Sequence, residues 1–106
     1  MKVDVLGTKY TISESNNVAD LNLEHNDGYC DTSTKSIVID TFRESPDSLK
    51  DLESHKKQVI RHELVHAFLH ESGLHACSWG TNEEIVDWIA LQFPKLFDAF
   101  KQANAI

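Results

Sequence analysis

Residues 58–73 decide the fold, and they read Gln-Val-Ile-Arg-His-Glu-Leu-Val-His-Ala-Phe-Leu-His-Glu-Ser-Gly. Apolar side chains recur here at roughly helical spacing, and Gly73 is a natural helix terminator. The same spacing continues back to Ser45-Pro46-Asp47, where a capping hydroxyl, a proline and an acid form a helix start. We therefore expect one long helix, either continuous or broken near Ser54.

Within this helix lies His62-Glu63-Leu64-Val65-His66, an HExxH sequence. Residues four apart differ by only about 40° around a helix axis, so the two imidazoles lie on one face and can share a metal ion. A carboxylate beside that pair can reach a metal-bound water without ligating the ion. The spacing thus predicts His62 and His66 as zinc ligands and Glu63 as the general base of peptide hydrolysis.

An open catalytic zinc site needs a third protein ligand, which must come from elsewhere in the chain. Glu83 is our candidate, at the start of a second predicted helix. Asp87 follows one turn later and can hydrogen-bond the free nitrogen of a ligating histidine. Glu84 is the alternative ligand, since helix boundaries are uncertain by a residue.

The second helix begins at Thr81-Asn82-Glu83-Glu84, which has the spacing of a capping box, and Pro94 is expected to kink or divide it. Its aromatic residues recur at helical spacing, which is typical of a buried core. The residues assigned to the core on this basis are Trp88, Phe93, Phe97 and Phe100.

The N-terminal half predicts strands. Residues 2–6 and 9–13 alternate apolar and polar residues about Gly7-Thr8, and residues 28–31 and 36–40 flank a second turn. The chain is therefore expected to be a single α+β domain over residues 1–106, with a small antiparallel β-sheet packed on the HExxH helix and a C-terminal helix. Substrate is expected to add as a strand along residues 36–40, unless that strand is interior.

The composition of the chain indicates which classes of binding partner are disfavoured. The 106-residue chain has a formal net charge of −7, and every charged residue between Lys9 and Lys35 is acidic, which disfavours nucleic acid. No apolar run is long enough to cross a membrane, and the two cysteines form no disulfide framework. We expect a cytoplasmic protein without a targeting segment.

HExxH followed by an ExxxD sequence resembles the gluzincin metallopeptidases, and more closely the small ImmA/IrrE-type peptidases of phages and mobile elements. Those proteins show HELxHxxLH and then E-x-x-A-[N/D]-x-F-A, which residues 62–70 and 83–90 match except at Val86 and Ile89. The resemblance covers residues 58–94. It implies one zinc ion held by His62, His66 and Glu83, a minimal gluzincin domain, a host-cytoplasmic location if phage-encoded, and a protein substrate such as a repressor.

Further histidines and a cysteine near the motif allow other roles. His70 is either a packed neighbour or an added ligand, and His75 and Cys77 are either surface loop residues or donors to an intermediate or a metal. Leu69 and Ser72 stand where a metzincin needs glycine and histidine, so that class is excluded. The alternative to an enzyme is a non-catalytic, zinc-stabilised phage regulatory or interaction module, although such a module has no need of Glu63.

Overall fold

The structure, a computed structural model, describes residues 1–43, 50–76 and 79–106. Four strands precede two helices, which confirms the α+β class. The elements are β1 Lys2–Val5, β2 Thr8–Ser15, β3 Gly28–Asp31, β4 Ser36–Asp40, α1 Leu52–Glu71 and α2 Glu83–Gln102, with 3-10 turns at Leu21–Leu23, Leu74–Ala76 and Trp79–Thr81.

The sheet is mixed, with strand order β1-β2-β4-β3. Both predicted hairpins form, since β1 pairs with β2 and β3 pairs with β4 in antiparallel fashion. The expected all-antiparallel sheet is wrong, because β2 and β4 run parallel. The connector over residues 16–27 starts β3 at the end of the sheet where β2 finishes, and β3 then runs back along the sheet, so that β4 runs in the same direction as β2.

β4 is an interior strand. Ile37 lies opposite Ile12 of β2 on one side and opposite Cys30 of β3 on the other. The prediction that substrate pairs with residues 36–40 is therefore wrong, because both sides of β4 are already paired. The exposed edge of the second hairpin is β3.

The first hairpin turn lies one residue earlier than predicted. Leu6 and Gly7 both have positive φ, at 51° and 90°, and Val5 lies opposite Thr8. Two residues of positive φ between paired strands match the twist of a hairpin. Gly7 adopts this conformation without a steric cost.

The core lies between one face of the sheet and α1. Alternate residues of β2 and β4 point to this face and are buried with side chains from β1 and α1; the cluster comprises Val5, Tyr10, Ile12, Ile37, Ile39 and Ala67. Val59, Ile60 and Leu64 of α1 pack against it. This packing fixes which side of α1 faces the sheet and leaves the histidines free for another surface.

Both helices have side-chain caps. Asp51 accepts a hydrogen bond from the Ser54 N–H at 3.1 Å, so α1 begins at Leu52, and the start predicted at Ser45 lies outside the described residues. Asn82 accepts from the Ile85 N–H at 3.1 Å within the predicted capping region. Of the kink or division predicted at Pro94, the division does not occur, since α2 continues through this residue with the loss of one backbone donor.

The aromatic residues of α2 depart from the expected core. Val86 and Ala90 are buried, but the side chains assigned to the core are 39–54% exposed: Trp88, Phe93, Phe97 and Phe100. The sheet face is already covered by α1, and among the described residues α2 packs chiefly against α1. Among the described residues, no helix is both long and apolar enough to span a bilayer.

Candidate metal and catalytic site

The site forms where α1 and α2 lie side by side in opposite directions. His62 and His66 project from α1, and Glu83 is the first residue of α2. Farther along, the Arg61 Nε–H donates to the Ala90 carbonyl at 2.6 Å. This contact ties the helices together and places the start of α2 opposite the two histidines.

Three potential ligands converge here. The Nε2 atoms of His62 and His66 are 3.2 Å apart. The Glu83 carboxylate spans both, with one oxygen 3.0 Å from His62 Nε2 and the other 2.9 Å from His66 Nε2. One ligand atom from each residue lies within 4.8 Å of the others. The predicted ligand set is thus assembled in space, across a sequence separation of 17 residues between His66 and Glu83.

The spacing and chemistry of these atoms suit zinc. Two imidazole nitrogens at the usual Zn–N distance of about 2.0–2.1 Å in a tetrahedron lie about 3.3 Å apart. Asp87 Oδ1 is 3.2 Å from His62 Nδ1, so a proton on Nδ1 leaves the Nε2 lone pair facing the cluster. A lone pair 3.0 Å from a carboxylate oxygen is repulsive unless a cation or an added proton lies between them.

The two candidate glutamates differ in placement. Within the described ranges, the cluster comprises His62, His66 and Glu83, and Glu84 is not a member. Asp87 is exposed, yet it contacts His62 as the ExxxD spacing predicted. A ligand at position 83 and a supporting carboxylate one helical turn later is the arrangement that the sequence predicted.

Glu63 stands apart from the cluster and is buried. Only 7% of the residue is exposed, and this burial raises the pKa of its carboxyl to about 7. Two smaller effects are included in this value: the His62 ring lowers the pKa, and the nearby Glu83 carboxylate raises it. A buried carboxyl that is poised to gain or lose a proton near neutral pH has the property required of a general base.

A cleft of about 530 Å³ opens over these groups. One wall is α1, another is the edge strand β3, and the third is the turn region that includes His75 and Gly80. Sequence reasoning missed the β3 wall, which contributes Gly28, Tyr29 and Cys30. Together these walls form an open channel that contains both histidines.

Gly28 was the available signal for this wall, although its sequence context predicted only a turn and the start of a strand. A Cβ atom at Gly28 would lie 2.9 Å from Ile39 Cδ1 and 3.0 Å from Val59 Cγ1. The absence of a side chain therefore lets β3 approach α1 closely. In this way the strand edge lies beside the cluster of His62, His66 and Glu83.

Comparison with known proteins does not assign the chain. No known protein family, curated protein or solved structure matches it. The likeness to gluzincins therefore rests on short motifs, and the function must be inferred from the residues of the site.

The remaining candidate groups have definite positions. The rings of His70 and His75 lie 4.4 Å apart between centroids, and both line the cleft, outside the ligand cluster. Cys77 lies outside the described residues. Neither tyrosine hydroxyl is free for catalysis: that of Tyr10 donates to Glu71 at 3.4 Å, and that of Tyr29 donates to Asp20.

Proposed function

We propose that this chain is a zinc-dependent peptidase that hydrolyses a peptide bond in a peptide or protein substrate. The observation that carries the proposal is the convergence of His62, His66 and Glu83 beside a buried glutamate that takes no part in their cluster. A purely structural site has no use for Glu63 at that place. The arrangement also resembles a minimal gluzincin domain.

The ligands and their support have separate roles. His62, His66 and Glu83 would hold the ion, and Asp87, which contacts Nδ1 of His62, would orient that ring. When bound, zinc supplies a Lewis acid that polarises the scissile carbonyl and lowers the pKa of the attacking water.

Glu63 moves the proton. Its carboxylate takes a proton from the attacking water and later gives it to the leaving amine, so that it acts first as base and then as acid. Burial at the floor of the cleft keeps this carboxylate basic, as its pKa of about 7 indicates.

The edge strand β3 supports binding of an extended substrate. Among the described residues, Gly28–Asp31 pairs only with β4, so one side of the strand remains open along the cleft. Backbone N–H and C=O groups on such an edge can pair with any extended peptide. Substrate would therefore lie between β3 and the histidines.

Cleavage of a peptide library tests this function. The zinc-loaded protein is incubated with peptides from a digested proteome, and new termini are identified by mass spectrometry, with chelator-treated protein as a control. We expect cleavage by the zinc-loaded wild type only, and a loss of several orders of magnitude in Glu63→Gln, which keeps the size of the side chain. Equal cleavage by the wild type and by Glu63→Gln would overturn the proposal.

One observation favours the alternative, a non-catalytic, zinc-stabilised interaction module. The exposed Phe93, Phe97 and Phe100 of α2 form an apolar surface of the kind found at binding sites. If the zinc-loaded wild type cleaves nothing in the library, the alternative replaces the peptidase.

A further inference from the structure

Three cavities follow one another along β3, and carboxylate side chains line each of them. The 530 Å³ cleft is flanked by a cavity of about 220 Å³ at the start of the strand and one of about 380 Å³ at its end. The lining carboxylates are Asp27, Asp31, Glu63, Glu83 and Asp87. None of the described residues that line these cavities is a lysine or arginine.

Two cations, Lys35 of the second hairpin and Arg61 of α1, have partners outside the cleft. Lys35 Nζ donates to Glu71 at 3.1 Å, and the Arg61 Nε–H donates to the Ala90 carbonyl. Each cation is thus held by a partner outside the cleft. The carboxylates along β3 that are not proposed zinc ligands therefore add a negative field along the channel, beside the charge of the proposed ion.

Two of these carboxylates lie clear of the metal cluster and bracket it. Asp27 precedes β3 and is 57% exposed beside His55, whereas Asp31 ends the strand. Hydrogen bonds from Ser33 and Thr34 lower the pKa of Asp31, so it is charged at neutral pH. Four residues of extended chain span about 13 Å, so one acid stands toward each end of the channel.

We propose that the cleft selects an extended basic segment, with lysine or arginine side chains on both sides of the bond that lies over the histidines. This inference rests on the proposed peptidase function and names its substrate class. Asp27 and Asp31 each form an ion pair with one basic side chain of the substrate, while the backbone of the substrate pairs with β3. The net charge of −7 adds long-range attraction for such a segment.

Binding to an inactive protein tests the charge selection independently of cleavage. Three labelled peptides of equal length, which carry two lysines, two glutamines or two glutamates at the same positions, are titrated into zinc-loaded Glu63→Gln protein by fluorescence anisotropy. Asp27→Asn and Asp31→Asn are added to this background, because asparagine keeps the acceptor oxygen of the Asp31 turn. Asp98→Asn on α2 is the matched control for net charge.

We expect the lysine peptide to bind most tightly and the glutamate peptide least. Each of the two cleft variants should weaken the lysine peptide about two- to fivefold, whereas Asp98→Asn should leave it unchanged. Equal affinity for the three peptides, no measurable binding, or the same loss in Asp98→Asn would overturn the inference. Cleavage by the wild type without charge preference would leave the peptidase standing and remove the basic substrate class. Binding of the lysine peptide without cleavage by the wild type would remove the peptidase function and leave the selection of basic segments standing.

Discussion

Glu63 and Glu71 lie about two turns apart on α1 and have opposite electrostatic surroundings. Glu63 is buried beneath the cleft, and burial raises its pKa to about 7. Glu71 accepts hydrogen bonds from Lys35 Nζ at 3.1 Å and from the Tyr10 hydroxyl at 3.4 Å, and the Lys35 contact lowers its pKa. Two glutamates on one helix thus have pKa values shifted in opposite directions.

The difference separates a group that anchors the fold from one that is available for chemistry. Glu71 joins the end of α1 to β2 and to the turn between β3 and β4, so its charge is neutralised and its position is fixed. Glu63 is buried, and among the described residues no lysine or arginine pairs with it, which disfavours its charged form. The fold maintains that unfavourable burial because other contacts, such as the Glu71 network, hold α1 on the sheet.

Asp87→Asn tests the comparison of the two glutamates because it changes the candidate metal site near Glu63 and leaves the contacts of Glu71 intact. The substitution removes the charge that orients the His62 ring, so zinc affinity should fall about 10- to 100-fold. Competition with a chromophoric chelator measures this loss. The melting temperature in excess chelator should match that of the wild type, and an unchanged zinc affinity would show that Asp87 does not support the ligand.

The pH dependence of stability should have opposite signs at the two ends. In metal-free protein, the raised pKa of Glu63 means that the native state binds more protons than the unfolded state near pH 6, so its contribution to stability falls as the pH rises through about 7. Glu63→Gln should therefore be more stable than the wild type at about pH 8, by on the order of 2 kcal/mol.

The lowered pKa of Glu71 acts the other way. Its contribution is present above its ordinary pKa and is lost as the pH falls through the folded value. Chemical denaturation of wild type, Glu63→Gln and Glu71→Gln across pH 3–8 measures both signs. If both variants lose stability at pH 8, the contrast between the two glutamates does not hold.

Lys35→Met changes the contact between Lys35 and Glu71, and it has the smallest expected effect on stability. It removes the cation from Glu71 while keeping the length of the side chain, so the melting temperature should fall by a few degrees. Zinc affinity should stay within about twofold of the wild-type value, because additivity holds for separate sites. A large loss of zinc would mean that the two ends of α1 are coupled.

Local patterns in the sequence predicted much of this structure. Helical spacing placed His62 and His66 on one face, and their Nε2 atoms lie 3.2 Å apart. The capping residues near Asn82 located the start of α2 and hence Glu83. These features depend on neighbours within one turn, and they are readable because helix geometry is regular.

Features that depend on distant partners were not predictable. The β-branched sequence of β4 suits an edge or an interior strand equally, and only the parallel pairing with β2 makes it interior. The apolar stripe of α2 indicated burial, yet only Val86 and Ala90 of the described α2 residues are buried, and Phe93, Phe97 and Phe100 remain exposed. Likewise, Gly28 joined β3 to the site through a contact with Val59 that no local pattern specifies.

Zinc titration of three matched variants tests the central claim most directly: Glu63→Gln, Glu83→Gln and Glu84→Gln, with bound metal measured by mass spectrometry and affinity by chelator competition. We expect wild type, Glu63→Gln and Glu84→Gln to bind one ion per chain with similar affinity, and Glu83→Gln to lose tight binding, because only Glu83 completes the ligand set with His62 and His66. Tight zinc binding by Glu83→Gln, or its loss in Glu63→Gln, would contradict the account.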